Sequence, residues 1–219
     1  MKHRNRSFAV IGLGSFGSTV ATALAASGDD VVGIDIDENQ VRRHADELTH
    51  ALILDGRDED ALQEAGLGDH DVVLVAIGED LEASVICTMN LKLIGAKCIW
   101  VKAFSKTHHR ILSRLGADRV IEPERDTGLH IAETLHSPFV SDFMSLGNGF
   151  HVVNIVVDEE IAGKRIADLG RLDCESLRIL GTMRGGRYFD CSENIELEEN
   201  DRILLLGRRG DLRSFTGQF

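Results

Sequence analysis

An apolar run from Phe8 to Leu13, FAVIGL, ends in glycines spaced GxGxxG (Gly12, Gly14, Gly17), and a helix-like stretch from Ser15 to Ser27 follows. The run is too short for a helix and apolar throughout, as expected of a strand buried on both faces of a parallel sheet. Each glycine has a separate physical task in that context. Gly12 allows the tight turn, Gly14 lets backbone approach a pyrophosphate, and Gly17 lets helix and strand pack closely. The helix N-terminus then directs free N–H groups and its positive dipole at the phosphates. The chain is thereby committed to open with a βαβ unit.

The alternation continues. DVVGIDI (30–36), ALILD (51–55), DVVLVAI (71–77), CIWVKA (98–103) and RVIE (119–122) read as further strands. Helices are expected between them at 38–48, 58–65, 81–94 and 107–115. Six strands in this order imply an α/β, Rossmann-like doubly wound parallel sheet, whose ligands sit beyond the C-terminal strand ends. Pro123 opens a further helix, 124–135, which the sheet does not need for closure. Residues 137–150 hold the second proline and a Gly-Asn-Gly turn, so they read as a linker with the boundary near Ser145. Short strands follow (FHVVNIVV, SLRILGTMR, YFDC, RILLLG) with a hairpin at Gly185-Gly186 and helices at 165–169 and 210–215. The expected division is a nucleotide-binding domain over 1–136, a linker over 137–144 and a small α+β domain over 145–219.

The 219 residues carry a formal charge of -12, which repels a phosphate-backbone partner over most of the surface, so no nucleic acid partner is expected. No apolar run reaches the roughly 18 residues of a membrane span, so direct membrane insertion is not expected. The basic start, MKHRNRSF, lacks the long apolar stretch of a secretory signal, and a cytoplasmic location is expected. Cys87, Cys98, Cys174 and Cys191 are scattered without a CxxC pair, as for reduced structural thiols. His108 and His109, about 100° apart on a helix, read as surface residues.

Asp35 ends the second strand about 20 residues after the glycine motif, where a carboxylate accepts from ribose hydroxyls and repels a 2′-phosphate. NADP is disfavoured. Asp55, with Gly56, either reaches an adenine amine or forms a solvated turn. Gly78 either allows close approach to a nucleotide or serves a helix-opening turn. Lys102 either pairs with a phosphate or is a solvated strand end. A small NAD-dependent oxidoreductase would need an acid–base group and a second-substrate pocket, and the sequence shows neither.

GLGSFG, the Asp35 strand end, AIGEDLEAS, IWVKA, LGADRVIEPERDTG and the closing ENDRILLLG together resemble the RCK regulatory subunits of bacterial Ktr/Trk potassium uptake systems, the KtrA type above all. The resemblance covers almost the whole chain. It implies a homo-oligomeric cytosolic ring, an octamer in that type, that binds ATP or ADP (or NAD) and gates a membrane-embedded channel subunit. An RCK-type regulator of a cation/proton antiporter fits the same two modules. Gly12, Gly14, Gly17, Asp35, Asp55, Gly78 and Lys102 fall at nucleotide-site positions, with Ser15, Phe16, Ile36, Gly56 and Ile77 beside them. Glu124 falls at the position associated with Mg or another cation near the γ-phosphate. The family usually has arginine where this chain has Ser15, so either another cation meets the γ-phosphate or the chain prefers ADP, AMP or NAD. The resemblance also makes 123–135 a crossover helix that packs on a neighbouring subunit. In some relatives the C-terminal domain binds cyclic di-AMP, for which no residue here is diagnostic.

Overall fold

The computed structural model of the chain describes residues 5–136, 140–169 and 177–216. The first unit is a six-stranded parallel sheet of β1 (Ser7–Ile11), β2 (Asp30–Asp35), β3 (His50–Ile53), β4 (Val72–Val75), β5 (Ile99–Lys102) and β6 (Arg119–Ile121). Its strand order is β3-β2-β1-β4-β5-β6, so the direction of winding reverses between β1 and β4. Strand tips diverge at such a reversal and leave a crevice beyond their C-terminal ends.

The central strands β1 and β4 are buried on both faces, as their composition demands, while β3 and β6 at the sheet edges are half-buried or exposed. Ala9 and Ile11 of β1 pack with Leu62, Cys87, Leu91 and Leu112 on one side, while Val10 packs with Leu13, Ala21 and Val41 on the other. Apart from Leu13, in the turn after β1, these side chains come from α1 (Ser15–Ala26), α2 (Glu38–His44), α3 (Glu59–Glu64), α4 (Leu81–Leu93) and α5 (Lys106–Leu115). Each fully buried leucine contributes about 2 kcal/mol of transfer free energy. Burial pushes the Cys87 thiol up to about 12, with Asp55 adding to the shift, so it stays protonated and inert.

Two local readings change. α2 ends at His44 instead of Leu48, because the chain turns there, with Glu47 N–H donating to the His44 carbonyl, and delivers Leu48 over Gly33. His108 is fully buried rather than exposed: it lies one turn before buried Leu112 on the inner face of α5. Its ring sits 4.7 Å from that of Phe104, and burial lowers its pKa.

The chain divides into compact units at Glu124/Arg125, so most of α6 (Pro123–His136) falls with the second unit and not with the first domain, expected over 1–136. That unit is an antiparallel sheet of β7 (Val140–Gly147), β8 (Phe150–Val156), β9 (Arg178–Arg184), β10 (Arg187–Asp190) and β11 (Arg202–Arg208), with α7 (Ile166–Leu169) and α8 (Arg209–Thr216). The order is β10-β9-β11-β8-β7. Val153, Ile155, Ile203, Leu205, Leu212 and Phe215 lead its core. The Gly185-Gly186 hairpin forms as expected, both glycines having positive φ.

The linker expected over 137–144 is corrected from Val140 onward, since that stretch pairs with β8 as β7. Asn148 (φ 52) and Gly149 (φ 80) make the hairpin turn between them, so the Gly-Asn-Gly signal marks a turn inside the domain. Residues 137–139 lie outside the described residues, as does Cys174.

Candidate functional site

The crevice at the β1/β4 reversal holds a cavity of about 620 Å³, the size of an ordinary small-molecule site. Gly12, Gly14, Ser15, Phe16, Asp35, Ile36, Asp55, Gly56, Ile77, Gly78, Lys102 and Glu124 all line it. Gly17 does not, and its reason is packing: a Cβ there would sit 1.8 Å from the Gly12 carbonyl oxygen. Gly12 adopts φ +97, and a Cβ on it would meet the Ala76 carbonyl oxygen at 2.8 Å. Gly14 is different. Its φ is -63, open to any residue, and a Cβ would meet no protein atom within 4 Å. No protein atom requires glycine at 14, and its lack of a side chain leaves the cavity in front of it open.

Asp37, Asp58, Asp80 and Ser105 cap α2, α3, α4 and α5 with side-chain oxygens, whereas α1 starts at Gly14 with no side-chain cap and no acidic residue in its first turn. Its first N–H groups and dipole therefore open onto the cavity unneutralised. Asp35 stands beside them. Its Oδ2 accepts from Leu13 N at 2.7 Å and its Oδ1 from Asp37 N at 2.9 Å, which fixes the carboxylate against the glycine turn. The remaining lone pairs are available to a diol. Ile36, 61 % exposed, offers an apolar surface next to it.

Lys102, reaching in from β5, has its side chain 12 % exposed. Its Nζ lies 2.5 Å from Glu124 Oε1 and 5.6 Å from the centroid of the Phe16 ring. The Lys102 hydrogen bond holds the Glu124 carboxyl below its usual range against the opposing effect of burial. Lys102 is thus a held cation at the strand tip and not a solvated end. As for a metal, Glu124 is already paired, and no group of three His, Cys, Asp or Glu suited to a metal occurs among the described residues. The donor set does not fit a resident metal ion.

At the β3 end the sequence reading missed Arg57. Its Nε donates to both Asp55 oxygens at 3.0 Å, its Nη2 to Oδ2 at 2.7 Å, and its backbone N–H to Oδ1 at 3.0 Å. These bonds lower the Asp55 pKa. Gly56 between them is explained by packing, a Cβ there falling 3.0 Å from Cys87 Sγ. Asp80, Thr19 and Leu54 also line the cavity and were not anticipated; Asp80 carries a visible signal as an aspartate at the N-cap of α4, followed by Glu82 in its first turn.

Comparison with known proteins now bears on this geometry. The TrkA-N domain model matches residues 8–123 and the TrkA-C domain model residues 150–219. The chain is 36 % identical to Ktr system potassium uptake protein A of Vibrio alginolyticus over 97 % of both chains. It is 36 % identical to Ktr system potassium uptake protein C of Bacillus subtilis over 96 % of both, and 33 % identical to protein A of that organism. Among solved structures, the GsuK RCK domain superposes with a TM-score of 0.68 at 14 % identity, covering 99 % of this chain and 48 % of that one. A GsuK channel bound to NAD gives 0.68 at 14 %, covering 98 % and 39 %. The chain spans about half or less of these GsuK chains, and at such identity the likeness carries the fold. With both domain models matched in order and relatives above 30 % identity covered over nearly their whole length, the chain belongs to the TrkA-N/TrkA-C family, among the Ktr system potassium uptake proteins.

Proposed function

We propose that the chain is the nucleotide-sensing subunit of a potassium-uptake system: it binds ATP, ADP or NAD at the β1/β4 crevice without consuming it, and gates a membrane-embedded channel subunit. The observation that carries this reading is the uncapped α1 N-terminus, opening at Gly14 onto a cavity rimmed by the anchored Asp35 carboxylate. Phosphates would take the α1 N–H groups, the ribose would take Asp35, and the base would lie toward Ile36 and the β3 end. The relatives are potassium uptake system proteins by name, and GsuK has been solved bound to NAD and bound to ADP.

Signalling follows from competition for charge. A terminal phosphate reaching Lys102 would displace Glu124, which stands in the first turn of α6. A ligand moves a conformational equilibrium only by its differential affinity for the two states, and couplings of about 1 to 3 kcal/mol are usual. In a homo-oligomeric ring, taken here as the octamer of the KtrA type, identical sites add such increments. Any divalent cation would arrive with the phosphates, since Glu124 alone does not assemble a site. Among the described residues no helix is long and apolar enough to cross a membrane, so the gating partner supplies the spanning segments and holds this subunit at the cytoplasmic face.

The test is thermal unfolding with ATP, ADP and NAD. A ligand at 100 times its Kd adds about 2.7 kcal/mol of stability, and the nucleotide should be recovered intact. No stabilisation by any of the three, or turnover of NADH with a carbonyl compound, would overturn the proposal.

A further inference from the structure

The Asp55–Arg57 pair bears on which base the cavity accepts, an inference resting on the nucleotide reading above. Asp55 lies two residues beyond the end of β3, where a carboxylate would accept from the 6-amino group of adenine. In this chain that carboxylate is already engaged. Four hydrogen bonds from Arg57, one from the backbone and three from the guanidinium, fill most of the roughly four lone-pair positions of a carboxylate. The loop that presents the pair is pinned: buried Asn90 of α4 donates Nδ2 to the Arg57 carbonyl at 2.9 Å, and Asp58 N–H closes a turn on the Asp55 carbonyl at 3.0 Å. Gly56 lies tight against Cys87 and Ile11. The guanidinium is about half exposed and lines the cavity, with Asp80 and Glu82 adding to the negative field around it.

A guanidinium has five N–H donors and no acceptor. With its fork on Asp55, the donors not spent there are the groups left to meet a base edge. Donors match an oxygen at purine position 6 and the neighbouring N7, whereas an unmasked carboxylate matches an amino group at position 6. We infer that Arg57 masks Asp55 and turns this end of the cavity from an acceptor into a donor surface, so that the site admits 6-oxopurine nucleotides beside adenine nucleotides. Arg57 acts partly through Asp55 and is a specificity-determining residue, not a catalytic one.

The experiment is calorimetric titration of the full chain with ADP and with IDP, which differ at purine position 6 and in the N1 proton that goes with it. The wild type should bind the two within about threefold of each other. Arg57→Ala should widen the ratio in favour of ADP by about tenfold, the scale of one charge-assisted hydrogen bond gained or lost. Arg57→Lys, which keeps the charge and a donor, should stay nearer the wild type. Asp55→Asn in the Arg57→Ala background should remove the gain. An ADP/IDP ratio unchanged by Arg57→Ala, with ADP still bound, overturns the inference and leaves the nucleotide reading intact. Wild-type protein that binds neither compound overturns both.

Discussion

Two glycines of one motif should fail in opposite ways when given a methyl group. A Cβ on Gly17 would fall 1.8 Å from the Gly12 carbonyl oxygen and 3.0 Å from Ala76 Cβ. To restore ordinary contact the turn and α1 must separate by more than 1 Å, on the scale of a van der Waals clash relieved by backbone movement. The turn is held by Gly12 N–H on the Ile34 carbonyl at 2.7 Å and the helix start by Ser18 N–H on the Gly14 carbonyl at 2.9 Å, so neither yields freely. Gly17→Ala should therefore cost about 3 kcal/mol, or about 6 to 12 °C in Tm at about 2 to 4 °C per kcal/mol for a chain of this size. Gly14→Ala meets no protein atom within 4 Å and keeps an accessible backbone conformation. It should change stability by less than about 1 kcal/mol yet weaken ATP or ADP binding at least about tenfold, because the methyl occupies the space a phosphate needs. Thermal unfolding and calorimetry on the same preparations separate the two effects. A Gly14→Ala protein that loses as much Tm as Gly17→Ala, or that binds nucleotide like the wild type, would refute this division of labour.

The remaining predictions are narrower. Asp35→Ala should weaken adenosine nucleotide binding because the ribose loses its acceptor, and should cost about 1 to 2 kcal/mol of stability through the orphaned Leu13 N–H; unchanged affinity by calorimetry would remove Asp35 from the site. Ser15→Arg should raise the ATP to ADP affinity ratio, since a charge-assisted bond replaces at most a neutral one, and an unaltered ratio would mean that position 15 does not face the terminal phosphate. In the second unit, buried Asp201 accepts from Arg184 Nε at 2.8 Å and Nη2 at 2.6 Å, and from Glu198 N–H at 2.9 Å. Burial raises its pKa, but these bonds outweigh that effect and leave it lowered. The stabilisation it gives is therefore present above the unfolded carboxyl value of about 3.9 and lost as pH falls through the lower folded value. Asp201→Ala should cost about 1 to 3 kcal/mol at pH 7, by orphaning the Glu198 N–H and removing the Asp201 bonds of Arg184, which keeps the Glu198 carboxylate and the Glu196 carbonyl, and should flatten the acid limb of the stability profile; an unchanged limb in denaturant titrations at pH 2 to 5 would contradict this.

The parallel sheet was legible because each of its strands has an apolar centre, with polar residues confined to the strand ends, and each connection carries a helix with a cap or a glycine stop. The ends of β1 and β2 declared the site for the same reason, since Gly12, Gly17 and Asp35 are tied by local geometry that any chain of this topology must satisfy. β7 was not legible. Its residues Asp142, Met144 and Leu146 share one exposed face, so apolar and polar groups occur together where alternation would have signalled a strand. His108 was misread because neighbouring His109 is partly exposed and the buried stripe through Leu112 is visible only when α5 is docked. Arg57 gave no motif; its importance arises from a turn that folds its own side chain back on Asp55. The second unit's Arg184–Asp201 pair joins residues 17 apart across β9 and the turn before β11, a pairing that only strand register creates.

The central claim, a nucleotide held at the β1/β4 crevice as a signal, is tested most directly by native mass spectrometry of the full chain after incubation with ATP. The account predicts a homo-oligomer whose mass exceeds that of its protein subunits by whole, chemically unchanged adenine nucleotides, and loss of that increment in Asp35→Ala. Subunits carrying no nucleotide, or a sample that converts ATP or NADH to product in proportion to protein concentration, would contradict it.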